Sequence, residues 1–206
     1  MKKHFLFSLL IIFIAASNFS LAQTVVGDWR NYTSTLYMQD VVNYEEQYYI
    51  ATSGGLLTFS EDSKMFDTYK KEDGLSSLNI NALLIDENDV LWLGMEEGEI
   101  NFFDLKAQTI NNQYIDNYDI LSFQDNLSNV TALAGEGENY FLACQKQMQW
   151  GLVQFVRKNN TYLYKDYYFT FPENIAPIQD ILLKNDSIYV ATQDGIFVSN
   201  YVDANL

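Results

Sequence analysis

From residue 23 onward, apolar residues occur in short runs and show no helical spacing. The runs are rich in β-branched and aromatic residues, and clusters of Gly, Asn and Asp separate them. Runs of this length and composition are typical of β-strands, whereas a helix would repeat its apolar positions every three to four residues. The pattern therefore predicts an all-β fold.

Four segments repeat one order of elements: an apolar strand, a polar turn, an aromatic strand ending in a tiny residue, and a glycine hairpin into a third strand. The tiny residues are Ala51, Gly94, Ala143 and Ala191, at intervals of 43, 49 and 48 residues. Blades of about 40 to 50 residues with four strands form β-propellers. Strands converge near the axis of such a ring, so a large side chain there would clash with the next blade. We expect about four blades of four antiparallel strands, with 145–150 as a longer loop in the third blade.

The expected blades span about 38–79, 80–129, 130–177 and 178–206, the last of them incomplete. Residues 25–34 contain the aromatic pair Trp29 and Tyr32 ahead of the first blade, and we expect them to form a ring-closing strand that removes a sheet edge. Two alternatives remain: a closed ring of four blades, or part of a larger ring of six to eight. We favour the larger ring, and the gene sequence beyond residue 206 would decide.

The N-terminus has the three parts of a secretory signal peptide. A basic start with Lys2 and Lys3 precedes an apolar stretch of 12 uncharged residues, 5–16, and small residues precede a cut between Ala22 and Gln23. The stretch is too short to span a membrane, which takes roughly 20 residues. We therefore expect a signal peptide at 1–22 and an exported propeller at 23–206.

Charge and missing residue types exclude several functions. Without Lys2 and Lys3, the mature chain keeps 10 basic and 27 acidic residues, a net charge of −17, which disfavours nucleic acid and anionic membrane surfaces as partners. The only histidine of the full chain, His4, lies in the expected signal peptide, so the mature chain has none. Cys144 is the only cysteine. A histidine-based triad and the usual zinc ligand sets are thereby excluded. We predict no catalytic residue, metal or cofactor, and a buried thiol at Cys144.

Residues 72–98 support a family resemblance. They contain Asp-Gly-Leu-Ser-Ser at 73–77, an acidic turn at 86–89 and Leu-Trp-Leu-Gly at 91–94. This motif resembles the two-component-regulator propeller repeat. The start of the mature chain, with Trp29-Arg-Asn-Tyr32, is similar to the N-terminal propeller of PorZ-like accessory proteins of type IX secretion.

The two resemblances imply different functions. PorZ-like proteins act as scaffolds at the outer membrane, where their partners are anionic lipopolysaccharide and a sortase. Regulator propellers of hybrid sensor kinases sense glycan fragments in the periplasm. Both imply a protein or glycan partner in the periplasm or at the surface of a Gram-negative-type bacterium. Our main expectation is a non-catalytic PorZ-like scaffold, with the glycan sensor as the alternative and a carboxylate-based glycan-active enzyme as a third hypothesis.

One face of a propeller collects the hairpins between second and third strands, and it is the default binding surface. Trp150 attracts attention because an aromatic ring beside amides and carboxylates suits a sugar or a peptide. Packing of Trp150 onto its own blade is the alternative. The candidate binding residues on this face are Ser53, Glu96, Glu97, Gln147, Trp150, Gln193 and Asp194.

Overall fold

The structure is a computed structural model, and it describes residues 35–114, 127–169, 171 and 177–201. The expected signal peptide, its cleavage site at Ala22 and Gln23, and the expected ring-closing strand at 25–34 lie outside these residues. The described chain forms four antiparallel sheets in chain order. Their strands are β1 (Met38–Tyr44), β2 (Gln47–Thr52), β3 (Gly55–Ser60), β4 (Phe66–Tyr69), β5 (Ile80–Ile85), β6 (Val90–Met95), β7 (Ile100–Asp104), β8 (Thr109–Ile110), β9 (Leu127–Glu136), β10 (Asn139–Lys146), β11 (Gln149–Lys158), β12 (Thr161–Tyr168), β13 (Ile178–Lys184), β14 (Ser187–Thr192) and β15 (Gly195–Asn200).

Each sheet is one blade, and its strands pair in the order of the sequence. The first three blades have four strands, and the fourth has the three strands β13, β14 and β15. Short 3₁₀ turns at Lys71–Asp73 and Asn112–Tyr114 follow the first two blades. The predicted all-β propeller of about four blades is therefore confirmed.

The hydrophobic core lies between blades. We call the side of a blade that packs on the following blade its leading face, and the opposite side its trailing face. On the leading face of the first blade, Tyr49, Ala51 and Leu56 pack against Leu93 and Phe103 on the trailing face of the second. The Tyr49 and Phe103 ring centroids are 5.6 Å apart. Because the apolar residues of one blade need the next blade to exclude water, neighbouring blades stabilise each other.

The second interface is built around Trp92, on the leading face of the second blade. Its ring stacks on Tyr140 of the third blade at a centroid distance of 5.0 Å and an angle of 14°. Tyr162 meets Trp92 edge-on at 4.4 Å and donates a hydrogen bond to the buried carboxylate of Asp86. Cys144 is buried in the same cluster, as predicted. Burial raises the pKa of its thiol to about 12.

The repeated tiny residue has the steric role that the sequence predicted. A Cβ atom on Gly94 would overlap Val130 of the third blade, lying 3.1 Å from its Cβ and closer still to its Cγ1. Ala143 occupies the same position in the third blade and is completely buried. The inner strand of the following blade therefore limits this position to a glycine or an alanine.

Polar contacts also join neighbouring blades. The Leu83 backbone N–H in β5 donates to Asp40 Oδ2 of the first blade at 2.8 Å. Glu136 of the third blade accepts hydrogen bonds from the Asn185 N–H at 3.2 Å and the Tyr201 hydroxyl at 2.8 Å. These bonds satisfy polar groups at the blade junctions and link each blade to the next.

The prediction of a longer loop at 145–150 is wrong. β10 and β11 continue their pairing through Gln145 with Trp150 and Lys146 with Gln149, and the turn consists only of Gln147 and Met148. Both turn residues have positive φ, 49° and 70°, as a two-residue turn of type I′ requires. The additional residues therefore lengthen β10 and β11 instead of forming a loop.

Candidate functional site

The residues predicted from the sequence lie at equivalent ends of the four blades. Ser53 is in the turn between β2 and β3, Glu96 and Glu97 follow β6, and Gln193 and Asp194 lie between β14 and β15. Ser53 is half-buried, and the other four are exposed. The antiparallel topology brings these hairpins to one face of the array, which we call the hairpin face.

Two of these hairpins share a threonine that the sequence analysis missed. Thr52 Oγ1 donates to the Gly55 carbonyl at 2.7 Å and accepts from the Gly54 N–H at 3.0 Å. Thr192 makes the same pair of bonds in the fourth blade, donating to the Gly195 carbonyl at 3.1 Å and accepting from the Asp194 N–H at 3.2 Å. The recurrence of threonine directly after the tiny residue was the available signal. Its role is to shape the turn.

The third hairpin differs from the others. Gln147 is exposed at its tip, and Met148 beside it is 87% exposed. Trp150 is half-buried, and its ring packs against the cluster between the third and fourth blades. Lys146 lies over the Tyr167 ring, with Nζ 4.3 Å from the centroid. The exposed apolar group of this hairpin is therefore Met148.

The opposite face carries a polar groove across the first two blades. Three chain segments form it: the turn between β1 and β2, the turn after β3, and the loop after β7. It encloses about 260 Å³. Its lining residues are Tyr44, Glu45, Glu46, Gln47, Tyr49, Ser60, Asp62, Leu105 and Gln108.

Hydrogen bonds fix the walls of this polar groove. Gln108 Nε2 donates to the Tyr49 hydroxyl oxygen at 2.7 Å, which ties the second blade to the first. Burial raises the pKa of Tyr49. A hydrogen bond to Asp89 raises the pKa of Tyr44, and an ion pair with Lys106 lowers the pKa of Asp89.

Two exposed carboxyl groups meet at the rim of the polar groove. A hydrogen bond between Glu46 and Asp62 raises the pKa of Glu46, and nearby acids act in the same direction. The Tyr44 hydroxyl, two glutamine amides and several carboxylates of the groove give it a mixed set of donors and acceptors. Such a set suits a neutral ligand with many hydroxyl groups, whereas an anionic ligand would meet Glu45, Glu46 and Asp62.

The sequence analysis placed its candidate binding residues on the hairpin face and did not predict the polar groove. The groove residues come from turns about 60 positions apart along the chain, and no single motif contains them. Among the described residues, no group of three or more His, Cys, Asp and Glu side chains is placed to hold a metal ion. None of the helices in these ranges has the length and apolar character needed to cross a membrane.

No protein-family model matches the chain, and no curated protein matches it. Solved structures do match. The extracellular domain of the hybrid two-component system BT4673 from B. thetaiotaomicron has a TM-score of 0.59 and 13% sequence identity, covering 79% of this chain and 20% of that domain. The corresponding domain of BT3049 from the same organism has a TM-score of 0.52 and 15% identity, covering 81% of this chain and 21% of its own.

A third similar structure is the β-propeller domain of Cps50 (Swd1) from Myceliophteria thermophila. Its TM-score is 0.56 at 12% identity, and the match covers 79% of this chain and 53% of that one. The chain thus spans about a fifth of the two bacterial domains and about half of the Cps50 propeller. At these identities the three likenesses establish the propeller fold.

Proposed function

We propose that this chain is the ligand-recognising part of an exported β-propeller protein, and that it binds an oligosaccharide in the polar groove without reacting with it. The proposal makes it a sensing propeller, the alternative that the sequence analysis kept. Extracellular domains of hybrid two-component systems are among the structures that share its fold, which supports this choice.

The observation that carries the proposal is the composition of the polar groove. Tyr44 supplies a half-buried aromatic ring and a hydroxyl, while Gln47 and Gln108 supply amides. Sugar hydroxyls both donate and accept hydrogen bonds, so they can use amides and carboxylates at the same time. A concave site with a few converging polar groups is the usual form of a small-ligand site.

The same geometry favours binding over catalysis. Glycosidases place two carboxyl groups roughly 5 to 9.5 Å apart, one on each side of the bond that they cleave. Glu46 and Asp62 instead share a hydrogen bond. A pair of carboxyl groups that share a hydrogen bond lies closer together than this spacing, so we propose that these two groups bind a ligand rather than cleave it.

The experiment is a glycan-array screen of the purified protein, followed by calorimetry with each glycan that binds. We expect Glu46→Gln to weaken binding about 10- to 150-fold, since a hydrogen bond to a charged group is worth about 1.5 to 3 kcal/mol. Glu138→Gln is the matched control, because Glu138 is exposed on the equivalent turn of the third blade. Glycan binding that both variants retain would refute the groove as the site, and glycan turnover would refute the binding-only function.

A second candidate is the scaffold function implied by the resemblance to PorZ-like proteins, and the exposed Met148 is the observation that favours it. An exposed apolar side chain at a hairpin tip, beside the predicted residues Gln147 and Trp150, suits a protein partner. A photo-crosslinker at position 148 tests this in envelope vesicles from the source cells. Reproducible capture of one envelope protein, reduced by Trp150→Ala, would support a scaffold; a lack of crosslinks would remove this candidate.

A further inference from the structure

A small cavity lies between the second and third blades, next to the turns that follow β5 and β9. It encloses about 40 Å³. One water molecule needs about 10 to 15 Å³, so the cavity has room for a few heavy atoms but not for a sugar ring. We call it the junction cavity. Its lining residues are Leu84, Ile85, Asp86, Glu87, Gly135, Glu136, Gly137 and Tyr140.

Gly135 makes room in this cavity. It pairs with Tyr140 across β9 and β10, and at the same position the other blades carry larger residues, which are Asn43, Ile85 and Leu183. Gly135 is not among the residues with positive φ, so the backbone does not require a glycine there. A Cβ atom on Gly135 would lie 2.7 Å from two ring carbons of Tyr140. The glycine therefore provides space beside the Tyr140 ring.

The hydroxyl of Tyr140 is the donor of the junction cavity. Tyr140 is 2% exposed, and within the described residues its Oη atom has no hydrogen-bond partner. A buried polar group without a partner is unfavourable, so such groups are normally satisfied by protein, water or ligand. Burial raises the pKa of Tyr140 to about 12, so the hydroxyl keeps its proton at neutral pH. The cavity therefore presents a donor that lacks an acceptor.

Asp86 supplies an acceptor in the same cavity, and it is 7% exposed. Its Oδ1 accepts from the N–H groups of Asn88 at 2.8 Å and Val90 at 3.1 Å. Its Oδ2 accepts from the Tyr162 hydroxyl. An ionised carboxylate has about four lone-pair sites, so Asp86 can accept one more hydrogen bond.

This pair of groups selects a neutral hydroxyl. A hydroxyl can accept from Tyr140 and donate to Asp86 at the same time. An ammonium group cannot accept a hydrogen bond, and an anionic group would be repelled by the Asp86 carboxylate. The rim of the cavity is open to such a group, because Glu87 and Gly137 are exposed.

One short turn connects the junction cavity to the polar groove. Asp86 at its start lines the cavity, and Asp89 at its end accepts a hydrogen bond from Tyr44, which lines the groove. Three residue steps of extended chain span at most about 11 Å, so one oligosaccharide can reach from the groove to the cavity.

We propose that the junction cavity is a second subsite, which takes a hydroxyl group of the oligosaccharide bound in the polar groove. Tyr140 donates a hydrogen bond to this hydroxyl, and Asp86 accepts one from it. This inference rests on the proposed function, and it adds that the ligand is neutral where it meets the second and third blades. It also predicts that recognition depends on the length of the glycan.

The test uses a glycan that binds in the array, together with shorter and longer members of its series. Tyr140→Phe removes the hydroxyl and keeps the ring that stacks on Trp92. In calorimetry we expect this variant to bind the longer glycans about 2- to 13-fold more weakly, which corresponds to the loss of one neutral hydrogen bond. The shortest member that binds should be unaffected. Tyr189→Phe, on the fourth blade, is the matched control and should bind every member as the native chain does.

A crystal structure of the complex with a longer glycan gives the second measurement. We expect a sugar hydroxyl oxygen about 2.5 to 3.0 Å from Tyr140 Oη. A water molecule in that place overturns the subsite, and so does an effect of Tyr140→Phe that is absent or equal for every length. Glu46→Gln should still weaken the binding of every member in these cases, so the groove stands without the subsite. If no glycan binds at all, the proposed function fails and the subsite with it.

Discussion

Gly94→Ala tests the idea that blade spacing at the inner strands sets the stability of the array. The new methyl group would overlap Val130, whose Cβ lies 3.1 Å from the added atom. Overpacking of this kind costs about 1 to 3 kcal/mol, and the lower entropy of the unfolded alanine chain returns about 0.4 to 1 kcal/mol. We expect the free energy of unfolding to fall by about 1 to 2 kcal/mol.

A double-mutant cycle with Val130→Ala makes this prediction specific. Val130→Ala alone removes roughly two buried carbons and should cost about 1.5 to 2.5 kcal/mol. In the double variant the smaller side chain leaves room for the methyl group at position 94, so the combined loss should be smaller than the sum by about 1 kcal/mol. Urea unfolding followed by tryptophan fluorescence measures all four proteins, because Trp92 lies in the affected interface. Additive losses to within about 0.5 kcal/mol, or a stabilising Gly94→Ala, would refute the steric explanation.

Three further predictions concern the interfaces. Ala143→Val should lower the free energy of unfolding by about 1 to 3 kcal/mol in urea melts, whereas Ala191→Val, at the same repeat position on the exposed leading face of the fourth blade, should change it by less than about 0.5 kcal/mol. Cys144 should react with a disulfide reagent at pH 8 only after unfolding, because burial raises the pKa of its thiol to about 12; reaction at the rate of a free thiol would contradict its burial. Burial also raises the pKa of Tyr140 from 10.0 to about 12, so the folded state keeps this proton longer than the unfolded state, and stability should fall as pH rises from about 10 to about 12. Urea melts across this pH range should show a shallower decline in Tyr140→Phe.

The propeller could be predicted from the sequence because its repeat combines steric and compositional constraints. Gly94 and Ala143 recur at the blade interval since the following inner strand leaves no room for a larger side chain. The aromatic residues between them, such as Trp92 and Phe141, alternate with the strand period and fill the interfaces. Both signals are local in sequence, so each blade can be recognised from its own residues.

The polar groove could not be predicted in this way. Its walls come from three turns: Glu46 and Asp62 lie on two turns of the first blade, and Gln108 of the second blade joins them through the packing of Tyr49 on Phe103. The third hairpin was mispredicted for a different reason. Gln147 and Met148 adopt positive φ without glycine, so the turn carried no compositional signal.

The location of the core between blades also determines when each interface can form during synthesis. During synthesis, the leading face of the first blade is completed only when Leu93 and Phe103 of the second blade have been made. Each later blade in turn completes the one before it. A chain interrupted between two blades therefore exposes the apolar leading face of its last complete blade. A chaperone or a membrane translocation channel would therefore meet an apolar sheet face at the growing end at every stage of synthesis.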